Sequence, residues 1–327
     1  MIKVKNLTKR YGQHMAVNNI SFNVSDGEIV GFLGPNGAGK TTTMNIITGY
    51  ISATGGEAAI NGHDILDEPE QAKASIGYLP EQPPVYGDMT VDEYLGFVAD
   101  IKKVAPQYKE KMLNEIKDTV KVSDMSRRLI KNLSKGYRQR VGLAQAMVGL
   151  PKVLILDEPT VGLDPKQIIE MRDVITRLGK SHTIMLSSHI LQEVSAVCDR
   201  VIIISKGKIV ASDTPERLSH VLTHGNKMLA RIKGERNKIQ EALASNPVVT
   251  TVEFQGSREP GTCEVVLSGG EQIDVREPIF NCMAKNNLPI LMLKSLDLTL
   301  EEIFLQVTTG TGTSDSEGSV SYDSNNQ

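Results

Sequence analysis

Short apolar runs alternate with helical patterns through residues 1–222. Ile2 to Leu7, Met15 to Phe22 and Glu28 to Phe32 read as strands with turns between them. A helix is predicted from Lys40, and Ile76 to Leu79 reads as a further short strand. From Thr90 to Leu150 the apolar positions take up helical spacing. That stretch opens on Thr90-Val91-Asp92-Glu93, a capping box in which Glu93 reaches back to the cap residue. Val153 to Leu156, Thr183 to Leu186 and Val201 to Ile204 are unbroken apolar runs, as in parallel strands buried on both faces. The helices between them should start near Asp164 and Ile190. This first unit is therefore α/β, with an all-helical insert at about residues 87–150.

A second unit is expected over residues 227–307. Met228 to Ile232 is strand-like, Glu235 to Ser245 helical, and Val248 to Phe254 and Cys263 to Leu267 are strands. Glu271 to Asn286 reads as helix and Pro289 to Leu293 as a last strand. This β-α-β-β-α-β order predicts a small α+β, ferredoxin-like module. Thr299 to Val307 is a candidate closing helix. Residues 310–327 hold no Lys or Arg and are rich in Gly, Ser, Thr, Asp and Asn, a composition expected to be disordered.

Composition narrows the class. Among 327 residues, 36 Lys and Arg face 39 Asp and Glu, a formal net charge of −3. That balance lacks the basic excess of a general phosphate-backbone binder. Aromatic residues are 4% with no Trp, so the core must be aliphatic. No apolar run approaches the roughly 20 residues that cross a bilayer, and Met1 to Leu7 has no secretory h-region. Cys198, Cys263 and Cys282 form no CxxC pair, which fits a reducing compartment. His220 and His224 are read as a solvated helix face, and Cys198 as packing.

Two stretches carry chemistry. Gly34-Pro35-Asn36-Gly37-Ala38-Gly39-Lys40-Thr41 fits G-x-x-x-x-G-K-S/T between a predicted strand and a predicted helix. Its glycines let backbone N–H groups curl around a phosphate, and the helix N-terminus adds partial positive charge. Lys40 would neutralise the β- and γ-phosphates, with Thr42 beside it, and the Thr41 hydroxyl would ligate Mg²⁺. The second stretch is the apolar strand Val153 to Leu156 ending in Asp157-Glu158-Pro159. Ligands in open α/β sheets bind at such strand ends. Asp157 would face the Mg²⁺ of a nucleotide, and Glu158 would polarise the attacking water.

Between these motifs lies Leu133-Ser134-Lys135-Gly136-Tyr137-Arg138-Gln139-Arg140, which resembles the LSGGQ signature of ABC ATPases. Lys135 stands where that signature has Gly, and Tyr137 where it has Gln. Ser134 and Gly136 keep their places at a helix start, whose N–H groups can meet a γ-phosphate. Further resemblances follow along the chain. Tyr11 is similar to the aromatic that stacks on adenine. Gln82, in Tyr78-Leu79-Pro80-Glu81-Gln82, is similar to the Q-loop glutamine near Mg²⁺ and water. Gly162-Leu163-Asp164 resembles the D-loop, with Val161 for a usual Ser. His189, in Ser187-Ser188-His189, resembles the switch histidine. Taken singly, a Tyr or His at a strand end is more often packing or capping, and only the order and spacing with the two strong motifs favour function.

The resemblance implies an α/β P-loop NTPase domain over 1–222, with ATP and Mg²⁺ as cofactors. It implies two copies facing head to tail in an ATP-dependent dimer, each nucleotide held between one copy's phosphate loop and the other's signature. It also implies a separate membrane permease, docked through the helical insert and the Pro83-Pro84-Val85-Tyr86 link to Gln82. The closest subfamily likeness is to export ATPases of the gliding-motility and multidrug type. The chain would then sit in the cytoplasm, peripheral on the inner face of the cell membrane. An alternative is a soluble ABC ATPase acting on nucleic acid or the ribosome. Such proteins usually carry two cassettes or a long coiled-coil insert. One phosphate loop, one signature and no sustained heptads favour transport. A decayed site is unsupported, since Lys40, Thr41, Asp157, Glu158 and His189 are all present.

Overall fold

The computed structural model describes residues 1–221, 227–257, 259–270 and 275–295. In chain order, β1 (Ile2–Tyr11), β2 (His14–Val24) and β3 (Ile29–Leu33) lead into α1 (Lys40–Ile47). Then come β4 (Gly55–Ile60), β5 (His63–Asp64), α2 (Pro69–Ala74) and β6 (Ile76–Leu79). The helical insert consists of α3 (Val91–Ile101), α4 (Pro106–Thr119) and α5 (Lys135–Met147). The first unit continues through β7 (Val153–Leu156), α6 (Pro165–Leu178), β8 (Thr183–Ser188) and α7 (Leu191–Ser195). It ends with β9 (Arg200–Ser205), β10 (Lys208–Asp213) and α8 (Pro215–Val221).

The central sheet runs β10-β9-β3-β8-β7-β6. It is parallel from β9 to β6 and antiparallel only at the β10 edge. Successive residues of its buried strands serve opposite cores, as the two-residue strand period requires. Ile155 points toward Phe32, Met44, Ile47 and the antiparallel sheet β2-β1-β4-β5. Leu154 and Leu156 point the other way, toward Met171 and Val174 of α6 and Leu95 and Val141 of the insert. The sheet is thus covered on both faces, by aliphatic side chains almost throughout. The predicted capping box forms: Thr90 Oγ1 accepts from the Glu93 N–H at 3.3 Å, and Glu93 Oε2 accepts from the Thr90 N–H at 2.8 Å.

Strands β4, β5 and β10 were not legible from the apolar pattern. β4 begins Gly55-Gly56, and β10 alternates exposed and half-buried positions at a sheet edge. The turn before β10 does have a local signal. Lys206 and Gly207 both take positive φ, 48° and 75°, as a two-residue hairpin turn requires.

The C-terminal elements are β11 (Lys227–Lys233), α9 (Arg236–Ala244), β12 (Val249–Gly256), β13 (Thr262–Gly269), α10 (Arg276–Lys285) and β14 (Ile290–Ser295). The antiparallel order β12-β13-β11-β14 is the ferredoxin-like arrangement. Its core joins Ile232, Val265 and Leu267 to Ile239, Leu243, Ile279 and Met283 of the two helices. Helix α10 starts at Arg276, not Glu271; residues 271–274 lie outside the described residues. So do the proposed closing helix at 299–307, the tail at 310–327, His224 and the side chain of His220. Cys198 is buried, Cys263 and Cys282 are half-buried, and all three are free thiols.

Candidate nucleotide site

Strands β3, β7 and β8 run side by side and end together. Leu33 pairs with Ser188, and Leu156 with Leu186. Their C-terminal ends therefore deliver the phosphate loop, Asp157-Glu158 and His189 to one edge of the sheet. The loop is tightly built. A Cβ on Gly34 would lie 2.4 Å from the Ile204 carbonyl oxygen. Gly39, at φ 107°, precedes α1 and supplies no side-chain cap, which leaves first-turn N–H groups available to an anion. Lys40 donates from Nζ to the Gly34 carbonyl at 2.7 Å, and Nζ lies 3.4 Å from Glu158 Oε1. Both of these side chains are buried.

Glu158 occupies the left-handed region at φ 48°, unusual for a residue with a Cβ. Several bonds hold it there. Its N–H donates to Ser187 Oγ at 2.9 Å, and its carbonyl accepts from the Val161 N–H at 3.1 Å. Its Oε2 lies 2.9 Å from His189 Nδ1. Ser187 Oγ in turn donates to Asp157 Oδ1 at 2.5 Å. One hydroxyl thus spans both acids. Burial pushes the Asp157 carboxyl above its ordinary range, while bonds from Ser187 and Thr41 pull it back.

These groups line a cleft of about 580 Å³, with Tyr11, Asn36, Gly37 and Thr42 around its mouth. The Tyr11 ring is half exposed, 5.2 Å from the Lys9 ammonium. Gly34, Pro35, Ala38 and Gly39 form the loop itself. Gln82 does not share that cleft. It lines an adjoining cavity of about 760 Å³ together with Thr41 and Asp157, which also borders Tyr50, Tyr78 and Lys102. No group of three His, Cys, Asp or Glu residues among the described residues is arranged for a metal. The oxygens of Thr41, Asp157 and Gln82 nevertheless suit Mg²⁺, a hard ion that takes few protein ligands beside phosphate and water.

Ser134, Gly136 and Asp164 stand apart from the cleft. Ser134 caps α5, its Oγ accepting from the Tyr137 N–H at 3.3 Å. Asp164 caps α6, its Oδ1 accepting from the Gln167 N–H at 2.9 Å. The two helix starts abut: a Cβ on Gly136 would lie 2.5 Å from the Gln167 side chain. Sequence reasoning missed Ser187 as the hydroxyl joining Asp157 to Glu158. The only signal was its place just before a strand end, beside His189.

The ABC transporter family model matches residues 17–161. Over 307 residues the chain is 31% identical to the ABC transporter ATP-binding protein YxlF of Bacillus subtilis, covering 94% of this chain and 99% of that one. The chain belongs to the ABC transporter ATP-binding family. It is also 32% identical to the bacitracin transport ATP-binding protein BcrA of Bacillus licheniformis, over 95% of this chain and 98% of that one. A solved dimeric bacterial ABC transporter cassette superposes with a TM-score of 0.60 at 25% identity, covering 65% of this chain and 98% of that one. As an ABC ATPase, the protein binds nucleotide and hydrolyses ATP. No helix among the described residues is long and apolar enough to cross a membrane.

Proposed function

We propose that this ABC ATPase powers export through a permease carried on a separate chain, from the inner face of the cell membrane. The observation that carries the reading is the convergence of Lys40, Asp157, Glu158 and His189 at one sheet edge. In this reading the loop N–H groups and Lys40 hold the β- and γ-phosphates of ATP. Tyr11 stacks on the adenine. Glu158 accepts a hydrogen bond from the attacking water and orients it toward the γ-phosphorus as the bond to ADP breaks. His189 steadies Glu158 and the departing phosphate. Thr41, Asp157 and Gln82 would hold Mg²⁺, which supplies charge neutralisation when bound.

Ser134, Gly136 and Asp164 are free to serve a second copy, since they lie on helix starts away from the chain's own cleft. ATP would then join two copies head to tail. Gln82 borders both Thr41 and the insert through its cavity, which favours the insert as the permease contact. The likeness to BcrA over nearly its full length favours transport, and the near-neutral charge gives nucleic acid no footprint. The test is Glu158→Gln with saturating Mg-ATP. It should abolish turnover and give a dimer by size-exclusion chromatography that disperses with ADP. A monomer under those conditions would overturn the head-to-tail assembly. Co-purification with a membrane-spanning chain tests the permease.

A further inference from the structure

The turn that carries Glu158 and the loop that carries His189 meet at a third acid. Glu193 lies in the first turn of α7 and is 7% exposed. A carboxylate at that depth needs donors, and two hydroxyls supply them. Ser188 Oγ donates to Glu193 Oε2 at 3.3 Å, and Thr160 Oγ1 donates to the same oxygen. Ser188 Oγ also accepts from the Ile190 N–H at 3.0 Å, so this hydroxyl grips the chain on both sides of His189. Thr160 sits two residues beyond Glu158, and its carbonyl accepts from the Leu163 N–H at 3.2 Å. Thr160 and Ser188 are as buried as Glu193. Glu193 itself does not line the nucleotide cleft.

We infer that Glu193 is a positioning residue for hydrolysis, tying the Glu158–Asp164 turn to the His189 loop through Thr160 and Ser188. The inference rests on the ATPase roles given to Glu158 and His189. Glu158 holds a strained backbone conformation, and His189 meets it through one hydrogen bond. Their mutual placement therefore depends on the two segments keeping register. An ionised acceptor binds hydroxyl donors more strongly than a neutral one, and no other described side chain is recorded bonding to both Thr160 and Ser188. Small losses of register at a reacting centre cost rate steeply.

The experiment uses the full chain and follows Mg-ATP turnover. Glu193→Leu fills the same space without an acceptor and should lower kcat about tenfold or more, leaving KM within about twofold. Glu193→Gln keeps an acceptor oxygen and should recover kcat to within about threefold of wild type. Thr160→Val keeps the carboxylate and should lower kcat as Glu193→Leu does. In a His189→Ala background, Glu193→Leu should add less than about twofold, because both act through one unit. A second readout needs no turnover. In the nucleotide-free chain, amide hydrogen exchange at residues 160–163 and 188–190 should quicken together in Glu193→Leu and stay near wild type in Glu193→Gln. Unchanged kcat, a loss confined to KM, full additivity with His189→Ala, or unchanged exchange would each overturn the tie. Wild-type chain that neither binds nor cleaves ATP would instead sink the ATPase roles, while the exchange measurement still judges Glu193.

Discussion

Replacing Ser187 by alanine removes a single oxygen from a fully buried position. That oxygen does two jobs. It accepts from the Glu158 N–H at 2.9 Å and donates to Asp157 Oδ1 at 2.5 Å. After the substitution, the Glu158 N–H loses the hydroxyl that accepts from it, at a cost of about 1–3 kcal/mol. Asp157 keeps its bond from Thr41 and loses less, about 1 kcal/mol. Together the fold should lose about 2–4 kcal/mol, which lowers Tm by roughly 5–15 °C for a unit of this size. Catalysis should suffer separately, because the N–H bond helps hold Glu158 in its left-handed turn. Turnover should fall about tenfold or more while ATP affinity stays within about threefold. Thermal unfolding without nucleotide, followed by steady-state kinetics, reads both effects. A Tm within about 2 °C of wild type would refute the claim that this hydroxyl anchors the two acids.

Lys40→Ala removes the cation from the phosphate loop and should weaken ATP binding roughly 10–100-fold by calorimetry, with the fold retained. Asp157→Asn tests burial of charge. The Asp157 carboxyl titrates above its unfolded value, so the nucleotide-free fold is favoured when it is protonated and loses that advantage as pH rises through the folded value. Asn should therefore raise Tm at pH 7 in the absence of Mg²⁺ and nucleotide, and the gain should shrink as pH falls into the ordinary carboxylate range. A gain that grows toward acid pH would contradict the sign.

The parts of the site that local pattern could reveal were those fixed by strand ends. An apolar run that stops at Gly34, Asp157 or His189 places the next residue at the ligand edge of a parallel sheet, whatever the neighbouring strands do. Side-chain bridges across that edge are different. Ser187 to Asp157 and Ser188 to Glu193 depend on register between β7, β8 and α7, which no single segment encodes. Gln82 illustrates the same limit, since its cavity depends on how the insert stands against α1. In the fold, the buried strands were legible because they are apolar throughout. β4, β5 and β10 were not, because edge strands with one solvated face carry few apolar positions.

The departures from the signature pattern have a local physical account. Lys135 lies across Gly162, where a Cβ would come within 1.9 Å of its ammonium nitrogen. Gly162 also takes φ 69°, so glycine there serves both the turn and the passage of the lysine chain. Tyr137 donates its hydroxyl to Asp124 at 2.9 Å, and its ring faces Arg140 at 5.6 Å. Both side chains are thereby accommodated within their own chain. Neither displaces the Ser134 cap or the close contact of Gly136 with Gln167. The helix start that a partner copy would use is thus kept, and what the lysine adds is positive charge beside the D-loop, where a triphosphate held by that partner would be approached.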